Sequence, residues 1–513
     1  MEALALQSET DPFESARNAA TALEAHLRSA EALGMSHSEL EVTVRREGAE
    51  LLRCFLQAHL TLRSVREPRR AIVDGADGVE RTHVRSTSCS LETVFGRVEV
   101  ERLGYTARGA SSLFPLDEEL NLPVREMYSH GVRESVARES ARGSFEAAAE
   151  AVCRTTAAKI AKRQVEELTR RAAVDFDAFY EDRKERTTST APTTSTPLVL
   201  ATDATGCKMR REALRALERR DAENDDEIES PEHRGPFDER PKEAHVARMA
   251  QVATVYDIEP HIRRPIDIAR AVRPVMTIET EKVPPPPRPQ NKRIWASLEK
   301  NELVLIVEMF KEAKRRDPEF KRPWVGLVDG DESQLDAMKR VAGSMGVTLV
   351  LILDVIHVLQ RIWDAGKCFF PEKGAPLTEW VNERFLAVLQ GRAVEVAGGI
   401  RQSATKRKLT DEERERADKS CDYLLKYKEY LKYDEYLRAG YPIATGVVEG
   451  ACRHLVKDRM DITGARWGLE SAEAVLRLRS LVSSGDFDDY WRFHVEQERH
   501  RNHRVLYSPA AAL

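Results

Sequence analysis

Three short apolar runs, each closing on a carboxylate, constrain this chain more than anything else in it: PLVLATD ends at Asp203, WVGLVD at Asp329 and VTLVLILD at Asp354. Runs this short and this apolar read as strands covered on both faces. In an open α/β sheet, the residues that do chemistry sit where such strands end. ARMAQVATVYDI reads as a second strand after the first, and a third is expected near His261–Asp267. Before and after WVGLVD, IWASLEKNELVLIVEMFKEAKRR and SQLDAMKRVAGSM carry helical periodicity.

The resulting order is three strands, then helix, strand, helix, strand. That is the ribonuclease-H-like layout, although strand–helix alternation by itself suits a nucleotide-binding α/β fold equally. No GxGxxG or GxxxxGK[ST] loop follows a strand, which argues against the nucleotide-binding reading. In the ribonuclease-H-like layout the first strand is central, the fourth lies beside it and the fifth is one further out. Asp203 is therefore expected to face Asp329, with its rival Asp354 displaced outward.

A chain of 513 residues exceeds one comfortable core. Residues 1–70 read as helical and 71–123 as a small β-rich region, in which HVRSTSCSLETVFGRVEVERLGY alternates about a turn at Phe95-Gly96. Residues 124–186 return to helix. Within them SFEAAAEAV, a break at Arg154–Thr156 and AAKIAKRQVEELTRRAA resemble a helix-turn-helix whose second helix carries Lys159, Lys162 and Arg163. A helical bundle with a solvated basic face fits the same residues. TTSTAPTTSTP (187–197) is a Ser/Thr/Pro linker. The first part of the α/β core then spans 198–362, with an acidic insertion at about 207–245 and a stiff proline connector at Pro284–Pro287. An all-helical insertion follows over 363–440, the last part of the core over 441–485 and a C-terminal tail over 486–513. The expected class is α+β multidomain: a ribonuclease-H-like core with a helical insertion, preceded by helical and small β regions that bind DNA.

The formal net charge of −5 does not argue against nucleic acid, because acidity is concentrated at Asp221–Glu232 and phosphates respond to local basic surface. The 42% apolar and 32% charged fractions describe a soluble globular chain. No run approaches the roughly 18 apolar residues of a bilayer span, and the acidic N-terminus lacks a signal layout. The 7 scattered cysteines, without a CxxC pair, suit a reducing cytoplasm.

Phosphodiester cleavage needs an activated water or hydroxyl and charge stabilisation at phosphorus, which two Mg²⁺ (or Mn²⁺) ions about 3.5–4 Å apart supply. Such ions take converging Asp and Glu oxygens. Asp203, Asp329 and Glu449, the last in GVVEG at the start of a late amphipathic helix, are the candidate set. Any one Asp at a strand end is ordinarily a turn or helix-cap residue. Three in the order one fold requires point instead to metal.

The set LATDATG, LVDGD, LDVIHVLQRIW and TGVVEGACRHLVKDRMDITGARW, with VFGRVEVERLGY and KRQVEELTRRAAVDFDAFY upstream, resembles the bacterial insertion-sequence transposases of the ISKra family, similar to the wider Mutator-like group. The resemblance implies a DDE transposase that binds terminal inverted repeats and carries out metal-dependent strand cleavage and strand transfer. Asp203, Asp329 and Glu449 would be its catalytic metal ligands, and its D/C-x-x-H motif would match Asp354 and His357. Many relatives carry metal-binding cysteines in the N-terminal β-region, whereas YTARGAS here has none. The expected partner is double-stranded DNA, handled by a homodimer or larger multimer, with no membrane and a cytoplasmic, nucleoid-associated location.

His357 is expected either to bond a carboxylate, to touch DNA or to satisfy a core contact. Arg453, one turn after Glu449, would pair with it or hold a phosphate. Lys457, Arg459 and Arg466 would track the DNA backbone and Trp467 would stack an end base, or the group is a solvated helix with an aromatic packed inside. The alternatives are a ribonuclease-H-fold nuclease and a non-catalytic, transposase-derived DNA-binding protein.

Overall fold

In the computed structural model, residues 11–124, 126–183, 194–215, 247–271, 285–370, 374–462 and 464–507 are described. The acidic stretch Asp221–Glu232 and most of the linker at 187–197 lie outside them. The architecture is mixed α+β in two units, Met1–Asp182 with Asp486–Leu513, and Arg183–Gly485.

The first unit begins with α1 (Glu14–Leu27), α2 (Ala30–Leu33) and α3 (His37–Val65). Ser29 caps α2 by accepting from Ala32 N–H, and the Glu39 carboxylate reaches back to Ser36 N–H at the start of α3 (2.7 Å). Two short strands, β1 (Val73–Asp74) and β2 (Glu80–Arg81), precede the hairpin β3 (His83–Thr93) and β4 (Gly96–Thr106). Its register runs from His83↔Thr106 to Thr93↔Gly96. Gln57 of α3 brackets Glu99 of β4, donating to its carbonyl and accepting from its N–H, both at 2.8 Å. Leu60, Leu91, Val98, Val100 and Leu116 fill the space between, Leu116 from α4 (Pro115–Leu120).

Next come α5 (His130–Arg142), α6 (Phe145–Thr155), α7 (Lys162–Arg171) and α8 (Phe176–Asp182). The break between α6 and α7 lies later than the sequence suggests. Ala158 and Ile160 are buried while Ala157, Lys159 and Ala161 are exposed, a period-two pattern that makes this stretch extended. The segment read as a tail forms a helix, Phe487–Asn502, that belongs to this unit. Its buried His494 bonds Asp175 (2.6 Å), Arg501 bonds Asp175 bidentately (2.7 and 2.8 Å), and Glu498 pairs with Arg133 of α5.

The second unit is built on a five-stranded sheet of order β7-β6-β5-β8-β9, formed by β5 (Leu198–Lys208), β6 (Ala247–Asp257), β7 (Gln290–Ser297), β8 (Trp324–Val328) and β9 (Leu349–Leu353). β5, β6 and β7 are antiparallel; β8 and β9 run parallel to β5. The central strand and its fourth and fifth partners are thus in the expected positions. Two details differ. The third strand is Gln290–Ser297, whereas His261–Asp267 leads into α9 (Pro265–Ala271). The helix expected from Ile294 starts only at Glu302, where Asn301 accepts from Val304 N–H (2.9 Å). Second, β5 does not end at Asp203 but continues to Lys208, into the segment read as an insertion.

α10 (Glu302–Arg316) and α11 (Glu332–Met345) connect β7 to β8 and β8 to β9. The region expected as a helical insertion, 363–440, is helical, but its first helix, α12 (Val355–Phe369), begins earlier, straight after β9; α13 (Ala375–Leu389), α14 (Ala393–Arg407), α15 (Asp411–Lys426) and α16 (Tyr433–Arg438) follow. α17 (Gly446–Ala451) then passes into a π-helical turn, Cys452–Lys457, and α18 (Leu469–Ser484) packs on β7.

Candidate functional site

The sheet register aligns the acidic residues. β5 pairs with β8 up to Ala201↔Leu327, and β8 with β9 up to Val328↔Leu353. Continuing those registers, by two residues and by one, sets Asp203, Asp329 and Asp354 in one row across three adjacent strands. Residues of one row share a face of the pleat. The chain is still held to β8 at that level, because Asp354 N–H donates to the Val328 carbonyl (2.7 Å). Asp203 is therefore not at a strand end. What ends there is the parallel pairing on one side, while Asp203↔Val252 pairing to β6 continues.

The three carboxylates are used differently. Asp354 is fully buried and caps α12: one oxygen accepts from Ile356 N–H (2.5 Å) and His357 N–H (3.1 Å). The other accepts from Thr445 N–H (2.5 Å) and the Thr445 hydroxyl. A carboxylate offers about four acceptor sites, and here backbone N–H groups hold three. Burial pushes this carboxyl up, but hydrogen bonds from His357 and Thr445 outweigh it, and the net shift is downward. Among the described residues, Asp329, half-buried, accepts only from Asp331 N–H (3.0 Å). Asp203, also half-buried, accepts from Ala204 N–H (2.7 Å) and from the Cys452 thiol (3.2 Å).

Glu449, exposed on α17, takes a contact from the Thr445 hydroxyl (2.7 Å). A hydroxyl has one proton, so Thr445 donates to Asp354 or to Glu449 but not to both at once. Asp354, His357 and Glu449 each bring a ligand atom to within 4.8 Å of one another; among the described residues Asp203 and Asp329 are not part of that group. With three of its acceptor sites held by the Ile356, His357 and Thr445 N–H groups, Asp354 acts as a clasp that fixes Thr445 and the start of α17. His357 lies with Nδ1 3.5 Å from Asp354, too long for a good hydrogen bond, and its proton affinity is raised by Asp354 first and then by Asp329 and Glu449. Cys452 ties the Glu449 helix to β5; burial and the Asp203 carboxylate push its thiol well above the usual range. π-helical turns such as the one it opens recur at functional sites.

Sequence reasoning missed the residues that brace this row. Tyr423 and Tyr427 of α15 and its end donate to the carbonyls of Asp329 (3.1 Å) and Gly330 (2.7 Å), while Tyr433 and Tyr436 of α16 donate to Leu353 (2.8 Å) and Leu351 (3.3 Å). Gly330 has φ +105°, and a Cβ there would meet the Tyr423 hydroxyl at 2.9 Å. The available signal was the helical spacing of these tyrosines in an otherwise charged region.

The basic candidates divide. Lys159, Lys162 and Arg163 are exposed, the last two in the first turn of α7. Lys457 and Arg466 are exposed. Arg459 and Trp467 are not: both are buried, the guanidinium 4.7 Å from the indole ring, and Trp467 donates to the Met460 carbonyl (3.0 Å). Burial pushes Arg459 down to about 10. In this structure the pair is internal packing, with no face open to a base or phosphate. Arg453 is 80% exposed and its ion-pair partner is Asp458 (3.7 Å), not Glu449.

A family model described as an uncharacterised protein family (UPF0236) matches residues 31–216, a stretch that includes Asp203. No curated protein matches the chain. Among the described residues no helix is long and apolar enough to cross a membrane.

Proposed function

We propose that this chain is a DDE transposase of the ISKra type, with a ribonuclease-H-like core, that cleaves DNA at the ends of an insertion sequence and joins them to a target. The observation that carries the reading is the register row: Asp203 on β5 and Asp329 just past the end of the parallel neighbour β8, in a β7-β6-β5-β8-β9 sheet, with the helix of Glu449 bonded to Asp203 through Cys452. The sheet order supports the fold assignment, since its antiparallel first three strands and parallel fourth and fifth are those of that fold.

The donor set suits Mg²⁺. Asp203, Asp329 and Glu449 offer hard oxygens with several acceptor sites still open, whereas Asp354 already accepts from three backbone N–H groups. These three residues would hold two ions, which when bound supply a lowered pKa for water and charge stabilisation at phosphorus. The protein's own part is positioning. Asp331 and Ala204 N–H groups fix the two aspartates, the tyrosines brace the backbone at Asp329–Gly330 and along β9, and Asp354 with Thr445 sets Glu449. Lys162 and Arg163 at the start of α7 present a basic edge for duplex ends. Homodimeric or larger assembly on DNA, and a nucleoid location, follow from handling two ends.

The test is cleavage and strand joining by the full chain on linear DNA taken from the region flanking its coding sequence, with Mg²⁺ or Mn²⁺. D203N, D329N and E449Q are expected to abolish cutting while retaining end binding. Cleavage without joining would assign a nuclease instead. Metal-independent binding with no cutting would leave a DNA-binding protein.

A further inference from the structure

Without bound metal the acidic cluster has a chemical difficulty: a nucleic-acid phosphate approaching Asp203, Asp329, Asp331 and Glu449 is repelled unless positive charge of the protein's own stands beside them. Arg361 is such a charge. It lies on α12, exposed, one helical turn beyond His357, so both side chains project from one stripe of the helix. Its guanidinium is 5.0 Å from the ring of Tyr423, the residue whose hydroxyl bonds the Asp329 carbonyl. Tyr427 packs edge-on to Tyr423 at 4.9 Å and holds Gly330, so the platform under Arg361 is itself braced. Among the described residues no carboxylate lies within 4.0 Å of Arg361, whereas Arg401, for example, pairs with Asp418 and Asp422. A guanidinium held over a ring with no carboxylate beside it keeps N–H donors for a ligand, and its planar fork matches two phosphate oxygens.

We infer that Arg361, seated on Tyr423, is a phosphate-contacting residue that holds the nucleic-acid backbone beside the acidic row. The inference rests on the transposase reading for which strand is held. Its contact chemistry is that of any phosphodiester.

The probe is a linear DNA duplex of arbitrary sequence, titrated with wild type, R361Q and R361K over a range of salt without divalent ions, so that binding is read independently of cutting. R361Q is expected to bind about tenfold more weakly and to flatten the log–log salt slope by about 0.9, the loss of one phosphate contact. R361K keeps the charge and should recover the slope, with affinity between the two because the planar fork is gone. Unchanged thermal unfolding in R361Q excludes a folding defect. R361Q binding with wild-type affinity and slope would overturn the inference even if wild type cuts DNA. Conversely, a wild type that never cuts, with R361Q still weakened, would sink the transposase reading while leaving Arg361 as a phosphate contact.

Discussion

Replacing Asp354 by Asn separates a structural carboxylate from a chemical one. The Asn carbonyl can keep accepting from the Ile356 and His357 N–H groups, and Asn caps helices as well as Asp. Its amide nitrogen, however, would face Thr445 N–H, a donor against a donor in a site with no solvent. The change removes a charge-assisted hydrogen bond, about 1.5–3 kcal/mol, and strands a buried N–H, about 1–3 kcal/mol. A net loss of roughly 3 kcal/mol is expected. Asp329→Asn keeps its one contact, from Asp331 N–H, at a half-buried position, and should change stability by less than about 1 kcal/mol. Urea unfolding followed by tryptophan fluorescence reads this directly. Trp295, Trp324, Trp363, Trp380 and Trp467 all lie in the second unit, against Trp491 alone in the first. The midpoint should fall in D354N and hold in D329N, while cleavage should vanish in D329N. Equal midpoints for the two variants would refute the assignment of Asp354 to the framework.

Acid should loosen the first unit in two stages. His130 is pushed down to about 4 by burial first and by Arg133 second, so its neutral form is favoured in the folded state. Stability contributed this way is lost as pH falls from about 6.5 toward 4. Asp175 and Glu498 feel burial pushing them up, but hydrogen bonds from His494 and Arg501, and from Arg133, overcome it and hold both at about 2. Their contribution, on the order of 2–3 kcal/mol each, is present above about pH 4.5 and lost as pH falls toward 2. E498Q should flatten the lower part of the stability–pH curve, and an unaltered curve would exclude that pair as its source. Gly330→Ala places a methyl against the Tyr423 hydroxyl at a left-handed φ, and should lower the unfolding midpoint by about 1–3 kcal/mol equivalent. An unshifted midpoint would show that the Tyr423 contact is slack.

Much of the second unit could be read from residues alone because β8 and β9, WVGLV and LVLIL, are continuous apolar runs buried by neighbours. β7 was illegible for the opposite reason. QNKRIWAS is an edge strand whose charged first half carries no period, and its apolar second half merges with the helix beyond. The Asn301 cap was the true boundary signal. At the site, Asp203, Asp329 and Asp354 were visible as strand-associated carboxylates, yet their division of labour was not, since it depends on Thr445, which lies 91 positions from Asp354. Arg459 and Trp467 misled because charge and aromaticity look alike in a surface stripe and in a buried cation–π pair. The C-terminal helix was hidden by its own charges: His494 and Glu498 are buried, but each arrives with a partner from the other end of the chain.

That last arrangement sets an order of events during synthesis. Arg133 and Asp175 leave the ribosome long before the Phe487–Asn502 helix that neutralises them, with the whole of the second unit, Arg183–Gly485, translated in between. At about 5–20 residues per second, that delay is on the order of 15–60 s. Throughout it the nascent first unit must keep those ionised groups wet, so its inner surface closes only once the Phe487–Asn502 helix has been made. A fragment cut at Asp182 would stay in that unfinished state indefinitely, whereas one that joins residue 182 to residue 486 supplies the missing piece at once.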